Sequence, residues 1–483
     1  MYPDATREEI NQVMEQAWKA FLSYRNSSPK QRAGFMRGLA SALEEREEQL
    51  ISAAGRETNL LPSRLKNELA RTVFQLRFYA EACEKGLALD ARIDTGKLDL
   101  RKMNVPLGPV VVFGASNFPF AYSTAGGDTA CAFAAGCPVI VKAHPAHAET
   151  SELVAGAIND TIAALSLPNG IFSHVHGTAY EVGEALVKHP RTRAVGFTGS
   201  QAGGKQLFEW GNQRRDPIPV FAEMGSVNPI FLFPEKLKQS GTDIAKSCAA
   251  SITLGVGQFC TNPGLIIGLE SDALQEFIRA LAEEIRTCEP GTMLHTGIFK
   301  SYVEKRANAL AQEHVEMVAA AEAEPQFNQA TPTIATATGT AFLNNPILHQ
   351  EVFGPYSIVI RCRDETEMMQ VARELEGQLT ATLMATEADL KYHEELVEEV
   401  KNLCGRFILN GVPTGVDVRW SMHHGGPFPA TTDSRFTSVG PDGIRRFARP
   451  LCFQNWPNHL LPVELRDENP LGIWRMVNNQ WTK

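Results

Sequence analysis

Pro109-Val110-Val111-Val112-Phe113-Gly114-Ala115-Ser116-Asn117-Phe118-Pro119 is the stretch that decides how this chain folds. Four apolar residues in a row, without polar alternation, suit a β-strand covered on both faces, and Gly114 ends the run. The pattern then repeats. Val139-Ile140-Val141-Lys142 is a second buried strand, and residues 172–176, 194–198 and 220–223 supply three more. Segments 120–135 and 150–165 read as helices between them. Buried strands alternating with helices predict a doubly wound parallel sheet, whose ligands collect beyond the carboxyl ends of the strands. Asn117, Lys142 and Glu223 all stand at or just after such ends.

A second α/β series begins near Pro229. Its strands are expected at 230–233, 265–269, 356–361, 379–385 and 406–410, with helices at 243–254, 273–286, 365–375 and 388–400. Upstream of residue 109 the chain reads as helices at 8–24, 28–55 and 62–83, the last carrying a stripe of Leu65, Leu69, Val73 and Leu76. Residues 91–105 alternate weakly around Gly96 and suit a hairpin. After Ser421 the sequence is rich in Gly, Pro and aromatics, which suits ordered loops and a closing strand. The fold class is α/β, with two doubly wound parallel-sheet domains.

At 483 residues two or three domains are expected. A formal charge of −9, from 46 basic and 55 acidic residues, disfavours a general binder of nucleic acid or anionic membranes. No apolar run reaches the length of a membrane span. The first residues lack the basic and apolar regions of a secretory signal, so the expected location is cytoplasmic. Nine scattered cysteines without CxxC pairs form neither a disulfide framework nor a zinc ribbon, and no metal site is expected.

Cys260 lies in Gly255-Val256-Gly257-Gln258-Phe259-Cys260-Thr261, between a helix and a strand. The glycines let backbone approach a ligand closely and leave the sulfur accessible. Taken alone it reads more readily as a buried structural cysteine than as a nucleophile. Glu223 could activate water, or cap a helix; Asn117 could aim an amide at a developing oxyanion, or simply turn the chain. Together, a thiol, a carboxylate base and an amide donor are what attack on a carbonyl and hydrolysis of the resulting thioester require. Lys142 could reach a ribose hydroxyl or a phosphate. No GxGxxG follows the first strand. Phe197-Thr198-Gly199-Ser200, before a helix, offers another seat for a pyrophosphate.

Read together, these segments resemble the aldehyde dehydrogenase superfamily. The shared motifs are Asn117-Phe118-Pro119, Lys142, Phe197-Thr198-Gly199-Ser200, Glu223-Met224-Gly225, Gly257-Gln258-Phe259-Cys260-Thr261 and Glu351-Val352-Phe353-Gly354-Pro355. They occur in family order over nearly the whole chain, and the missing GxGxxG is expected there. The resemblance implies an NAD(P)-dependent enzyme with Cys260 as nucleophile, Glu223 as general base and Asn117 as oxyanion donor beside the Cys260 N–H. It also implies that Lys142 and Glu351 hold ribose hydroxyls, Gly199 and Ser200 the pyrophosphate, and that Phe353 lies near the nicotinamide. The implied parts are helices of the cofactor domain (1–90), an oligomerisation hairpin (91–105), a dinucleotide-binding domain (106–228), a catalytic domain (229–430) and C-terminal loops with an oligomerisation strand (431–483). A homodimer or homotetramer is implied.

Two departures, Ser226 for the second glycine of Glu-Leu-Gly-Gly and Ala143 for the proline after the lysine, remove no chemical group. Lys142-Ala143-His144-Pro145-Ala146-His147, Gln258 to Gly264, Arg435-Phe436-Thr437-Ser438-Val439-Gly440 and the tail Arg449 to Pro457 resemble the α-ketoglutaric semialdehyde (2,5-dioxovalerate) dehydrogenases. Bacterial NADP-dependent fatty aldehyde dehydrogenases look similar in the same segments. The expected reaction is oxidation of 2,5-dioxopentanoate to 2-oxoglutarate, with long-chain aldehyde oxidation, coenzyme A as acyl acceptor and a non-catalytic cofactor-binding protein as alternatives. Pro145, three residues past Lys142, brings no carboxylate against a 2′-phosphate, so NADP is the preferred cofactor over NAD. Arg64, Arg71 and Arg435 are candidates for holding a substrate carboxylate.

Overall fold

The computed structural model describes residues 2–483 and contains the two expected sheets. The first has five strands, all parallel, in the order Phe172–Val175, Val139–Lys142, Val110–Phe113, Ala194–Thr198, Val220–Glu223. Strand order reverses at Val110–Phe113, so a crevice opens beyond its carboxyl end, where Asn117 lies. The helices Pro29–Glu44, Pro62–Glu84, Gly127–Ala135 and Ala148–Ala164 cover one side of this sheet and share its core. On the other side, the helices Arg7–Tyr24, Tyr180–Lys188 and Gln201–Asn212 pack on Val111, Ile140, Val195 and Val220.

The second sheet has seven strands, ordered Val315–Ala320, Thr333–Thr338, Tyr356–Cys362, Leu265–Leu269, Ile230–Leu232, Gln378–Met384, Cys404–Leu409. Only the Val315–Ala320 edge runs antiparallel to its neighbour. A small third sheet joins the hairpin Arg92–Asp94 and Leu100–Pro106 to three tail strands, Ala448–Gln454, Arg475–Val477 and Gln480–Thr482. No helix among the described residues is long and apolar enough to cross a membrane.

Several boundaries differ from the sequence expectation, each for a physical reason. The helix expected at 28–55 is two, Pro29–Glu44 and Glu47–Thr58, because the second turns away to pack Leu50 and Ala54 beside helix Ala148–Ala164. The helix expected from residue 120 begins at Gly127. The N–H groups of Phe120 and Ala121 donate instead to the buried carboxylate of Glu68, at 2.8 and 3.0 Å, which replaces a first helical turn. Residues 388–400 break at His393 into Glu387–Tyr392 and Glu394–Lys401. Helix Thr296–Leu310 and strands Val315–Ala320 and Thr333–Thr338 went unassigned. That helix buries only Tyr302 and Ala309, so its sequence carries little apolar periodicity.

Candidate active site

Between the two large sheets lies a cavity of about 430 Å³. Asn117, Glu223 and Cys260 line it, as do Gly199, Ser200, Glu351 and Phe353. Lys142 does not, though its neighbour His144 does, and neither do the three candidate arginines Arg64, Arg71 and Arg435. Tyr122, His295 and Lys305 also line the cavity and were not singled out from sequence.

The loop carrying Cys260 is held by shape and by hydrogen bonds. Gly255, Val256 and Gly257 all have φ near +60°. A β-carbon at Gly257 would overlap the carbonyl of Gly354, so only glycine lets the Cys260 loop and the Phe353 loop meet. Asn228 Nδ2 donates to the carbonyls of Cys260 and Asn262, both at 2.9 Å, and Asn262 Nδ2 donates to Gly354 O at 3.1 Å. Asn117 Nδ2 donates to Gln258 O at 3.0 Å, which engages one of its two hydrogens and leaves the other for a ligand. The carbonyl of Asn117 accepts from Arg64 at 2.8 Å.

Cys260 Sγ stands 3.4 Å from His424 Nε2, which in turn is 3.0 Å from Glu223 Oε1. The other Glu223 oxygen accepts from the Ser438 hydroxyl. His424 is fully buried and Glu223 nearly so. Burial pushes the Glu223 carboxyl upward, but the charge and hydrogen bond of His424, with the Ser438 and Cys260 contacts, outweigh it and hold the group below its ordinary range. Burial, then the neighbouring Glu223 charge, drives the Cys260 thiol well above its ordinary value; Arg71 opposes weakly. The resting pair is therefore a thiol beside a carboxylate.

Sequence reading missed His424. It sits in the tail segment assigned to ordered loops, and tertiary pairing places it. Residues 430–432 run beside strand Val220–Glu223, with Met224 N donating to Ala430 O at 2.8 Å and Thr432 N to Ala222 O at 3.1 Å. Ser438 N donates to His424 O at 2.8 Å and Thr437 Oγ1 accepts from His424 N, which fixes the histidine backbone. The one sequence clue is the adjacent pair His423-His424 before Gly425-Gly426.

The residues expected to hold the cofactor differ in their surroundings. Lys142 is half-buried and, among the described residues, makes no ion pair or hydrogen bond through its ammonium; burial lowers its pKa. Glu351 is pushed up to about 7 by burial, against Lys305 and the Ser226 backbone. A β-carbon at Gly225 would press on the Glu351 carboxylate, so the glycine makes room for it. Ser200 caps helix Gln201–Asn212 by accepting from Gly203 N at 3.2 Å, and the first N–H groups of that helix remain for an anion.

The three arginines have different settings. Arg435 is 79% exposed and chelated by Asp433, so it does not face the cavity. Arg64 lies over the rings of Phe118 and Phe259 and supports the Asn117 loop. Arg71 donates to the hydroxyl of Tyr122, at 3.2 Å, and Tyr122 lines the cavity.

The model of the aldehyde dehydrogenase family matches residues 1–427. The chain belongs to that family, and so to the aldehyde-oxidising oxidoreductases. It is similar to the α-ketoglutaric semialdehyde dehydrogenase of Acinetobacter baylyi, with 45% identity over 492 residues, covering 100% of this chain and 93% of that protein. It is equally similar to α-ketoglutaric semialdehyde dehydrogenase 2 of Azospirillum brasilense, 45% identical over 98% of this chain and 91% of that one. A solved 1-pyrroline-5-carboxylate dehydrogenase from Thermus with bound NAD shares the fold, at TM-score 0.78 and 21% identity over 94% of this chain and 86% of its own.

Proposed function

We propose that this chain oxidises 2,5-dioxopentanoate to 2-oxoglutarate through a covalent thioester on Cys260. The observation that carries this reading is the meeting of Cys260, His424 and Glu223 within hydrogen-bonding reach, on a cavity that Asn117 also lines. The relatives that are 45% identical over their length supply the substrate class.

In the proposed reaction the Cys260 thiol gives its proton to the Glu223–His424 pair and the sulfur attacks the aldehyde carbon. The free Asn117 N–H and the Cys260 backbone N–H hold the oxyanion. Lys142 and Glu351 would hold ribose hydroxyls, Gly199, Ser200 and the following helix N-terminus the pyrophosphate, and Phe353 the nicotinamide side. When bound, NAD(P) supplies the hydride acceptor. Glu223 then takes a proton from water, whose oxygen displaces the sulfur and releases the acid. The substrate's far carboxylate is assigned to Arg71, whose partner Tyr122 lines the cavity, whereas Arg64 supports the Asn117 loop and Arg435 is chelated by Asp433.

NADP is accepted and preferred. Pro145 offers no carboxylate past Lys142, and the carboxylate that acts on Lys142, Asp4, accepts from the N–H groups of Thr178 and Ala179, at 2.7 and 3.2 Å. His144 and His147 add no cation, since burial lowers the pKa of both. The assay is a panel of 2,5-dioxovalerate, succinate semialdehyde, glutaraldehyde and decanal with each cofactor. Highest kcat/KM on decanal would reject the substrate, and a tenfold preference for NAD, about 1.4 kcal/mol, would reject the cofactor choice.

A closed homo-oligomer is built through the third sheet, in this reading. Trp456, Leu460, Trp474 and Trp481 are exposed in the tail, and Phe407 and Leu409 are exposed on the edge strand of the seven-stranded sheet. Two such surfaces suit burial against a second copy. A monomer mass by light scattering at micromolar concentration would overturn this.

A further inference from the structure

His174 and Val175 end the edge strand Phe172–Val175 of the cofactor-side sheet, and His176 follows directly; none of the three lines the Cys260 cavity. Residues two apart on a strand share a face, and helix Ala148–Ala164 presents Glu152 to both rings. His174 Nδ1 and His176 Nε2 reach the same Glu152 oxygen, at 3.0 and 2.5 Å. All three ligand atoms lie within 4.8 Å of one another. The side chains are 6%, 15% and 43% exposed, respectively for His174, His176 and Glu152.

We infer that these three residues form a site for a divalent transition metal, with water in the fourth position. Two imidazoles and one carboxylate suit zinc, cobalt or nickel rather than magnesium or calcium, which favour all-oxygen shells. Tetrahedral zinc with bonds of about 2.1 Å holds its ligand atoms roughly 3.4 Å apart. Each imidazole nitrogen would need to move outward from the Glu152 oxygen by less than about one ångström to reach that spacing. The entrance exists already, since His176, Tyr2 and Thr178 line an open groove of about 450 Å³. The His176 ring is held flat on Tyr2, centroids 4.0 Å apart, and Asp4 ties down Thr178 N at 2.7 Å. His174 Nε2 is buried without a partner, so this ligand lacks the outer hydrogen bond that strengthens structural zinc centres. Occupancy is thus exchangeable. A bound ion would tie the edge strand to helix Ala148–Ala164 one step from Lys142, whose register partner is Val175.

The Cys260–Glu223–His424 cluster could also take a metal ion, so the test separates the two. The full chain carrying Cys260→Ala is titrated with Co²⁺, followed by the visible absorption of tetrahedral cobalt and by equilibrium dialysis. One ion per chain is expected, with the affinity lowered about tenfold or more by adding His176→Ala or Glu152→Gln. Circular dichroism and metal-free melting of each variant establish that it is folded, and Glu152→Gln, which keeps the side chain's shape, serves if His176→Ala is not. Failure of the Cys260→Ala protein to bind cobalt, or unchanged binding after Glu152→Gln, would overturn the inference.

Discussion

Glu351 allows a quantitative test that needs no substrate. Its carboxyl is raised from 4.5 to about 7, chiefly by burial. A group raised on folding contributes stability that is fully present below its unfolded value of 4.5 and is lost as pH rises through 7. Two and a half pH units at 1.36 kcal/mol each give a full span of about 3.4 kcal/mol. Glu351→Gln keeps the shape and removes the titration. The melting temperature of the variant minus that of the parent should therefore climb between pH 5 and pH 9. With about 2.1 cal/mol/K per residue over the chain, the climb is about 3 °C if the protein unfolds as one unit. Scanning fluorimetry without cofactor measures it, and taking the difference cancels every other titrating group. In the proposed role of Glu351 its ionised carboxylate is the stronger acceptor for a ribose hydroxyl, so cofactor affinity of the parent should rise from pH 6 to pH 8, while that of the variant stays flat. A flat melting difference across the range would refute the burial argument.

Cys260→Ala should abolish aldehyde oxidation and leave cofactor affinity within about twofold, whereas Glu223→Gln should keep a burst of NAD(P)H and lose steady turnover. Normal steady turnover in Glu223→Gln would remove the base assignment. His424→Gln takes away the charge and hydrogen bond that hold the Glu223 carboxyl down, so the acidic limb of kcat/KM should move to higher pH; an unmoved limb would deny His424 a part in the proton chemistry. Arg71→Ala should raise KM for 2,5-dioxovalerate by about tenfold or more, the worth of a charge-assisted hydrogen bond, and spare an uncharged aldehyde of similar length. Equal losses on both would make Arg71 a support for Tyr122.

What could be read from the sequence was what local pattern encodes. Val110 to Phe113 and Val139 to Val141 announced buried strands because a strand covered on both faces has no polar alternation, and the structure places them side by side in register. Cys260, Glu223 and Asn117 could be chosen because each follows or precedes such an element beside small residues. His424 could not, because its position is set by residues 430–432 pairing with a strand more than two hundred residues earlier, a contact no local pattern carries. The start of helix Gly127–Ala135 was misread for the same kind of reason. Glu68, on another helix, takes up the N–H groups that a helix beginning at Phe120 would leave free at its first turn. Arg435 looked free in sequence, yet Asp433 two residues away already satisfies it.

The protonation of the pair explains why a histidine belongs between them. In the proposed reaction Glu223 must accept a proton twice, once from the thiol and once from water. It must discharge the first before it can take the second. A buried carboxylate that touched only Cys260 and Ser438 would have to release that proton to solvent through a cavity occupied by cofactor and acyl group. His424 Nε2 stands within reach of both the sulfur and the carboxylate, and in the proposed reaction it offers that proton a second acceptor. In the proposed reaction the resting sulfur is a protonated thiol, a poor nucleophile, because burial and the Glu223 charge raise it. Under that proposal, proton removal by the Glu223–His424 pair would coincide with aldehyde attack, and the negative charge would pass from sulfur to the oxyanion beside Asn117 instead of accumulating next to Glu223.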